Sequence, residues 1–277
     1  MSKILGPAEA ESLTRQIRAK IIAISCQAGT PHLASALSTV ELLTAAYWNV
    51  MDPEPIRQMH NDRDRFIFSK GHAAPALYVA LAMRGIIPEA LLDTFCQPGS
   101  ALSEQPTPHA VAGLEAATGS LGHGLPMGVG MALGAKLKQL KSHVFVLMSD
   151  GECNEGSIWE AAMLAPAQKL TNLMLMVDFN KWQATGRSCD VLALEPLRDK
   201  FASFGWHAVE CDGHDIAALT EIMQAFRQGE YDRPVALIAH TVKGKGISFM
   251  EDDNNWHYRV PQPEDLQLAL EELGVTL

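Results

Sequence analysis

Along the chain, apolar positions change period several times, and each change marks a predicted element. Pro7 stands where a helix can begin, and Leu13, Ile17, Ile21 and Ile24 follow at steps of four, four and three, one apolar face of a helix. A second helix fits Val40 to Asn49, after which Asp52-Pro53-Glu54-Pro55 breaks the pattern. Phe66-Ile67-Phe68 is a short apolar segment leading into Gly71-His72, and a helix fits Ala76 to Arg84, closed by Gly85. Residues 97–124, rich in Gly, Pro, Ser and Thr, read as a long loop, and long ordered loops in compact domains are often functional. An Ala/Gly/Met-rich helix is predicted from about Pro126 to Leu140, its small residues suited to close packing. From there strands and helices alternate: strand Val144–Met148, helix Ile158–Ala167, strand Leu173–Val177, a strand near His207–Glu210, helix Ile216–Phe226 and strand Val235–His240. Residues Pro261–Leu277 read as a short terminal helix. Fully apolar strands between helices predict an α/β fold, a central parallel sheet with helices on both faces. No repeat, low-complexity segment or linker divides residues 1–277, so one domain is expected.

Composition narrows the function. The net charge of −10 and the lack of a basic stripe argue against a nucleic-acid partner. The five cysteines, Cys26, Cys96, Cys153, Cys189 and Cys211, have no CxxC spacing, which points away from a zinc site and towards reduced thiols. Met1-Ser2-Lys3-Ile4-Leu5-Gly6-Pro7 has neither the apolar run nor the cleavage site of a signal peptide, and no apolar stretch is long enough to span a bilayer. A cytoplasmic protein without membrane contact is expected.

In open parallel sheets, ligands bind beyond the carboxyl ends of the strands. Asp150 follows one predicted strand and Asn180 another, thirty residues later, about one strand–helix–strand unit. Their carboxylate and amide oxygens are hard ligands suited to Mg²⁺ or Ca²⁺, and magnesium completes its shell with phosphate oxygens and water. The pair reads as half of a metal–diphosphate site. An Asp-Gly turn is by itself a common loop element, so position and spacing carry this reading.

These residues resemble a known family. Asp150-Gly151 through Asn180 is similar to the thiamine diphosphate fingerprint, with Ser149 in place of its first glycine. Arg63-Asp64-Arg65-Phe66-Ile67-Phe68-Ser69-Lys70-Gly71-His72, Thr118-Gly119-Ser120-Leu121-Gly122-His123-Gly124-Leu125, Gly151-Glu152-Cys153-Asn154-Glu155-Gly156 and Thr241-Val242-Lys243-Gly244-Lys245-Gly246, with Trp256-His257 downstream, resemble motifs of transketolases in the same order. The resemblance runs from about residue 10 to residue 260. It implies the diphosphate-binding domain of the thiamine diphosphate fold, with Asp150, Asn180 and the main-chain carbonyl of Trp182 as metal ligands. It gives Gly151 a close backbone approach to the diphosphate, His72 and His257 contacts with the diphosphate or the reacting centre, and Gly119 and Leu121 backbone contacts with the aminopyrimidine. His32 and His109 would line the substrate channel, although the loops that carry them read Gly29-Thr30-Pro31-His32-Leu33 and Thr107-Pro108-His109-Ala110, departures from the family pattern. Glu155 would lie at a subunit interface. His123, where the family often has glutamine, and His143, His207, His214 and His240 are read as side chains without a site role.

The implied reaction is transfer of a two-carbon ketol unit between sugar phosphates. A full transketolase continues into a pyrimidine-binding domain and a third domain. A second polypeptide of that kind, the C-terminal transketolase subunit, is therefore the expected partner, in a heterotetramer with two copies of each chain. The Pro126–Ala135 segment is a candidate for part of that interface. Other readings are an α-type component of a 2-oxo acid dehydrogenase, a deoxyxylulose-phosphate synthase fragment, a non-catalytic thiamine diphosphate binder, and a metal-dependent phosphatase using Asp150. The last would need more carboxylate ligands than the sequence offers.

Overall fold

The computed structural model describes residues 4–277; Met1–Lys3, on which part of the signal-peptide expectation rests, lie outside the described residues. Five strands, β1 (Arg65–Phe68), β2 (Val144–Ser149), β3 (Leu173–Phe179), β4 (His207–Asp212) and β5 (Val235–His240), form one sheet in the order β1-β2-β3-β5-β4. Every neighbouring pair is parallel, so all strands end on the same edge.

Side chains alternate across the sheet, and the two sets enter two separate cores. Phe66, Phe68, Phe145, Leu147, Met174, Met176, Val235 and Leu237 face helices that include Pro7–Ala28, Ala74–Met83 and Ile216–Arg227. Ile67, Val144, Val146, Leu173, Leu175, Val177, Ala236 and Ile238 face helices Gly124–Leu137, Gly156–Ala167 and Leu197–Ser203. Burial on both faces explains why the central strands lack polar alternation, with β2 and β3 buried along their whole length. Edge strand β4 is only partly covered and carries Glu210 and Asp212.

The helix ends follow local chemistry. Pro7 sits in the first turn of Pro7–Ala28, the Glu9 carboxylate accepts from the Gly6 amide at 2.9 Å, and Gly29 closes the helix at φ 64°. Ile17, Ile21 and Ile24 are buried as the periodicity predicts, while Leu13 is only partly covered. The second predicted helix is α-helical only over Val40–Thr44 and continues as a π-helix over Ala45–Val50. The Asp52-Pro53-Glu54-Pro55 stretch does not simply break the chain. Asp52 caps a short helix, Pro53–Arg57, by accepting from the Glu54 amide at 3.0 Å. Strand β3 runs through Asp178 and Phe179, beyond its predicted end, because both side chains are buried. The terminal helix spans Pro263–Leu273. Between the 3₁₀ segment Glu89–Thr94 and helix Gly124–Leu137 no helix or strand forms, as expected for residues 97–124. Among the described residues, no helix is long and apolar enough to cross a membrane.

Candidate functional site

The segments that carry the sequence motifs meet at the carboxyl edge of the sheet. Lys70 and His72 follow β1, Asp150 follows β2, Asp178 is the penultimate residue of β3 with Asn180 just beyond it, and Thr241 and Lys243 follow β5. At the bottom lies an ion pair between Lys70 and Asp178, both fully buried. Asp178 also accepts from Ser38 Oγ at 2.7 Å, from Thr241 Oγ1, and from Asn180 Nδ2 at 3.0 Å. Burial would raise its pKa, but Lys70 and these donors outweigh it and hold the carboxyl below its ordinary value. The bond to Asp178 fixes the Asn180 amide, whose Oδ1 then accepts from the Trp182 amide at 3.1 Å.

Asp150 is equally buried but has no cation against it. It accepts from Ser188 Oγ at 2.6 Å and from the amides of Lys181 at 3.1 Å and Gly151 at 3.0 Å. Burial, reinforced by Asp178, pushes its pKa up to about 7. Trp182 opens a small hairpin closed by Gln183 N–H to Gly186 O (2.8 Å) and Ser188 N–H to Lys181 O (3.0 Å). Both bonds run through residues other than the Trp182 carbonyl. Among the described residues, no three His, Cys, Asp or Glu side chains gather into an all-protein metal cage. A lone buried carboxylate with an oriented amide oxygen suits a hard cation that takes its remaining ligands from phosphate and water.

Three imidazoles stand over this floor. Ring centroids are 5.2 Å apart for His32 and His72, 4.9 Å for His32 and His257, and 5.7 Å for His72 and His257. His32 reaches the cluster because it takes a left-handed conformation, φ 68°, and its amide donates to the His257 carbonyl at 3.1 Å. All three have lowered pKa values, principally through burial. Lys70 adds to the effect at His72 and Lys243 at His32 and His257, and His257 falls to about 3. The rings are therefore neutral near pH 7. Lys243 Nζ lies 2.7 Å from Asn254 Oδ1 and 3.2 Å from His257 Nδ1. An ammonium only donates, so His257 Nδ1 accepts and Nε2 carries the ring proton. Burial and Lys70 lower the Lys243 pKa to about 8.

The glycine-rich segments dock beside the cluster. A Cβ on Gly71 would lie 2.4 Å from the Thr118 carbonyl carbon and 2.5 Å from the Gly119 nitrogen, so only glycine lets β1's exit touch that loop. Buried Glu152 ties four motifs together, accepting from Ser69 Oγ, from the Ser149 amide at 3.0 Å and from the Gly122 amide at 3.0 Å. Gly119 and Leu121 thereby stand at the rim, while Gly151 follows Asp150. Two buried polar atoms in this region, His32 Nδ1 and Thr118 Oγ1, have no partner.

Asp150, Asn180, Trp182, His32, His72 and His257 thus converge. His109 does not join them: it lies exposed on the long loop at φ 60°, and no ring contact links it to the three imidazoles. Glu155 is exposed at the head of helix Gly156–Ala167, on the molecular surface. Sequence reasoning misses Lys70, Lys243, Glu152 and Asp178 as site residues, although Lys70, Glu152 and Lys243 lie inside the quoted motifs and Asp178 lies two residues before Asn180. A lysine in a glycine-rich segment ordinarily reads as solvated, and the signal that could separate these is their place directly after apolar strands.

Residues 10–276 match the family model described as transketolase, thiamine diphosphate binding domain. The chain is 41% identical over 266 residues to one of the subunits of the apulose-4-phosphate transketolase of Actinobacillus succinogenes, covering 96% of each chain. It is 38% identical over 245 residues to the 6-deoxy-6-sulfo-D-fructose transketolase subunit SqwG of a Clostridium species, covering 88% of this chain and 89% of that one. The crystal structure of the Campylobacter jejuni transketolase superposes with a TM-score of 0.90 at 25% identity, covering 98% of this chain but 43% of that longer one. The chain belongs to the transketolase family, as a thiamine diphosphate-binding domain.

Proposed function

We propose that this chain is the thiamine diphosphate- and metal-binding subunit of a two-component transketolase, moving a two-carbon ketol unit from a ketose phosphate to an aldose phosphate in the cytoplasm. The observation that carries the reading is the presence, at one sheet edge, of a buried carboxylate lacking a cation, Asp150, and a buried ammonium lacking a carboxylate, Lys243. The whole chain serves as one domain for the diphosphate end of the cofactor.

Asp150, Asn180 and the Trp182 carbonyl would hold Mg²⁺ or Ca²⁺. Lys243 and His72 would hold the diphosphate, and Gly151 would let the backbone approach it. Gly119 and Leu121 would meet the aminopyrimidine through main-chain groups. When bound, thiamine diphosphate supplies the carbon nucleophile that takes up and passes on the ketol unit. The protein's part is placement and proton handling. With a pKa near 3, His257 is too weak a base to take a hydroxyl proton at pH 7, so its Nε2–H acts as a hydrogen-bond donor. His32 would line the substrate channel and handle a sugar hydroxyl proton. His109 would reach the substrate from the rim.

The partner supplies the pyrimidine-binding wall, and Glu155 would meet it. Two features support this: relatives of similar length are named as subunits, and the match covers 40% of the bovine transketolase-like protein 2. A heterotetramer with two of each chain is the assembly proposed. The test is calorimetry of thiamine diphosphate in Mg²⁺, followed by a coupled ketol-transfer assay with the partner. Asp150→Ala and Asn180→Ala should abolish Mg²⁺-dependent binding with the fold intact. Unchanged affinity in both variants would overturn the metal assignment.

A further inference from the structure

The segment from His240 to Gly246 carries Lys243 into the site, yet it has no regular secondary structure after β5 ends at His240. It is gripped from behind at two points by one polar chain. At the first, the Asp212-Gly213-His214 turn presses on it. The Gly213 amide donates to the His240 carbonyl at 2.8 Å, and a Cβ on Gly213 would lie 2.4 Å from Thr241 Cγ2. The Val242 amide donates to His214 Nε2 at 2.8 Å. At the second, Arg18 Nε donates to the Lys245 carbonyl at 2.7 Å, and Gly246 leaves room for the guanidinium, since its Cβ would stand 2.6 Å from Arg18 Nε. The two grips share one anchor. Glu41 takes Arg18 Nη2 on one carboxylate oxygen at 2.6 Å and His214 Nδ1 on the other at 2.9 Å, with Arg18 and Glu41 both buried.

We propose that Arg18, Glu41 and His214 form a positioning relay that fixes the Thr241–Gly246 segment and thereby sets the place of Lys243 in the cofactor site. The inference rests on reading Lys243 as a diphosphate ligand. The relay dictates a tautomer: because Nε2 accepts from an amide, the ring proton of His214 is on Nδ1 and is donated to Glu41. It also explains what the sequence leaves unexplained, a histidine and a glycine directly after an edge strand that contributes nothing to the site itself. None of the three side chains hydrogen-bonds a residue assigned to the cofactor. Their action passes through the backbone of Val242 and Lys245.

The test uses the full chain with three substitutions. His214→Phe keeps the ring without an acceptor, His214→Ala removes both, and His214→Gln keeps an amide oxygen within reach of the Val242 N–H. Hydrogen–deuterium exchange of residues 241–246 should accelerate in His214→Phe and His214→Ala and stay near wild type in His214→Gln. With thiamine diphosphate in saturating Mg²⁺ as the probe, the first two should weaken binding about tenfold and the third by less than about threefold. Circular dichroism and a cooperative melt establish that each variant is folded. Nitrogen shifts of the labelled wild-type histidine should report the Nδ1–H tautomer. Slow exchange in His214→Phe, or an Nε2–H tautomer, would overturn the relay even if the affinities moved. Failure of the wild-type chain to bind thiamine diphosphate at all would instead count against the proposed function, since exchange and tautomer report on the relay alone.

Discussion

Removing the charge at the bottom of the site tests the physics of its floor. In Lys70→Met, Asp178 stays fully buried and loses its paired cation, while the donors from Ser38, Thr241 and Asn180 remain. Breaking one side of a buried pair costs about 3–5 kcal/mol, because the surviving charge is uncompensated. Three remaining hydrogen bonds place this case at the low end, about 3 kcal/mol, or a fall in Tm of about 6–12 °C. The contribution of Asp178 to the pH dependence should invert as well, read as the difference between variant and wild type because Asp150 titrates near pH 7 in both. In wild type the Asp178 pKa lies below its unfolded value, so the group contributes stability at neutral pH that is lost as pH falls through the folded pKa. Without Lys70, burial dominates and raises that pKa above the unfolded value. Relative to wild type, the variant should therefore gain stability as pH falls from about 7 to about 5, where protonation neutralises the buried carboxyl. Urea unfolding at the two pH values reads both effects. Lys70→Met/Asp178→Asn should recover most of the loss, since neither charge is left alone. A Lys70→Met loss below about 1 kcal/mol, or a double variant as unstable as the sum of the single ones, would refute the buried-pair account.

Two further outcomes follow. Lys243 has a pKa of about 8 in the free chain, and an anionic ligand must raise it. Affinity for thiamine diphosphate at fixed Mg²⁺ should then fall below about pH 7, where Asp150 takes up its proton, and fall again as pH rises above 8, up to tenfold per unit, and calorimetry from pH 7 to 9.5 showing no decline above pH 8 would remove Lys243 from the diphosphate site. His72→Ala should weaken the cofactor and lower turnover, whereas His109→Ala should lower turnover with cofactor affinity kept; changes below about tenfold in both would return these rings to structural roles.

Much of the fold is legible in the sequence because its signals are local and redundant. Continuous apolar runs at Val144, Leu173 and Val235 identify buried parallel strands, and the thirty-residue step from Asp150 to Asn180 places both on one edge. Order and content of the motifs lead to the transketolase family, and the relatives distinguish it from the 2-oxo acid dehydrogenase reading. What the sequence hides depends on contacts across long separations. Nothing near Lys70 in sequence announces that its partner is Asp178, 108 residues away. Nothing beside His214 indicates that it bonds Glu41, 173 residues earlier. For that reason His214 reads from sequence as a residue without a role, and its two hydrogen bonds show a structural one. The same limit applies to His32, whose entry into the imidazole cluster depends on a left-handed backbone and on the carbonyl of His257. The π-helical stretch Ala45–Val50 also escapes the periodicity, because one wider turn leaves the apolar pattern almost unchanged.

The charges of the site explain one another once they are taken in pairs. Lys70 and Asp178 satisfy each other at the bottom and are closed off by hydroxyls and an amide. Above them, Asp150 and Lys243 are each displaced in the direction that a buried, unpaired charge must take, the acid upward and the ammonium downward. They are not each other's partner: Asp150 is held by Ser188 and two amides, and Lys243 by Asn254 and His257. A divalent cation against Asp150 and a diphosphate against Lys243 would correct both at once, and the two ligands would also neutralise each other. Either alone would leave one buried charge uncompensated and add another. On the proposed reading the expected consequence is mutual dependence, in which metal and diphosphate would each bind weakly without the other. The neutral imidazoles fit this scheme, because a cationic ring beside Lys243 and Lys70 would repel them and a neutral one still donates an N–H to an anion. On the proposed reading, the floor of the site would suit a metal–diphosphate unit rather than either component alone.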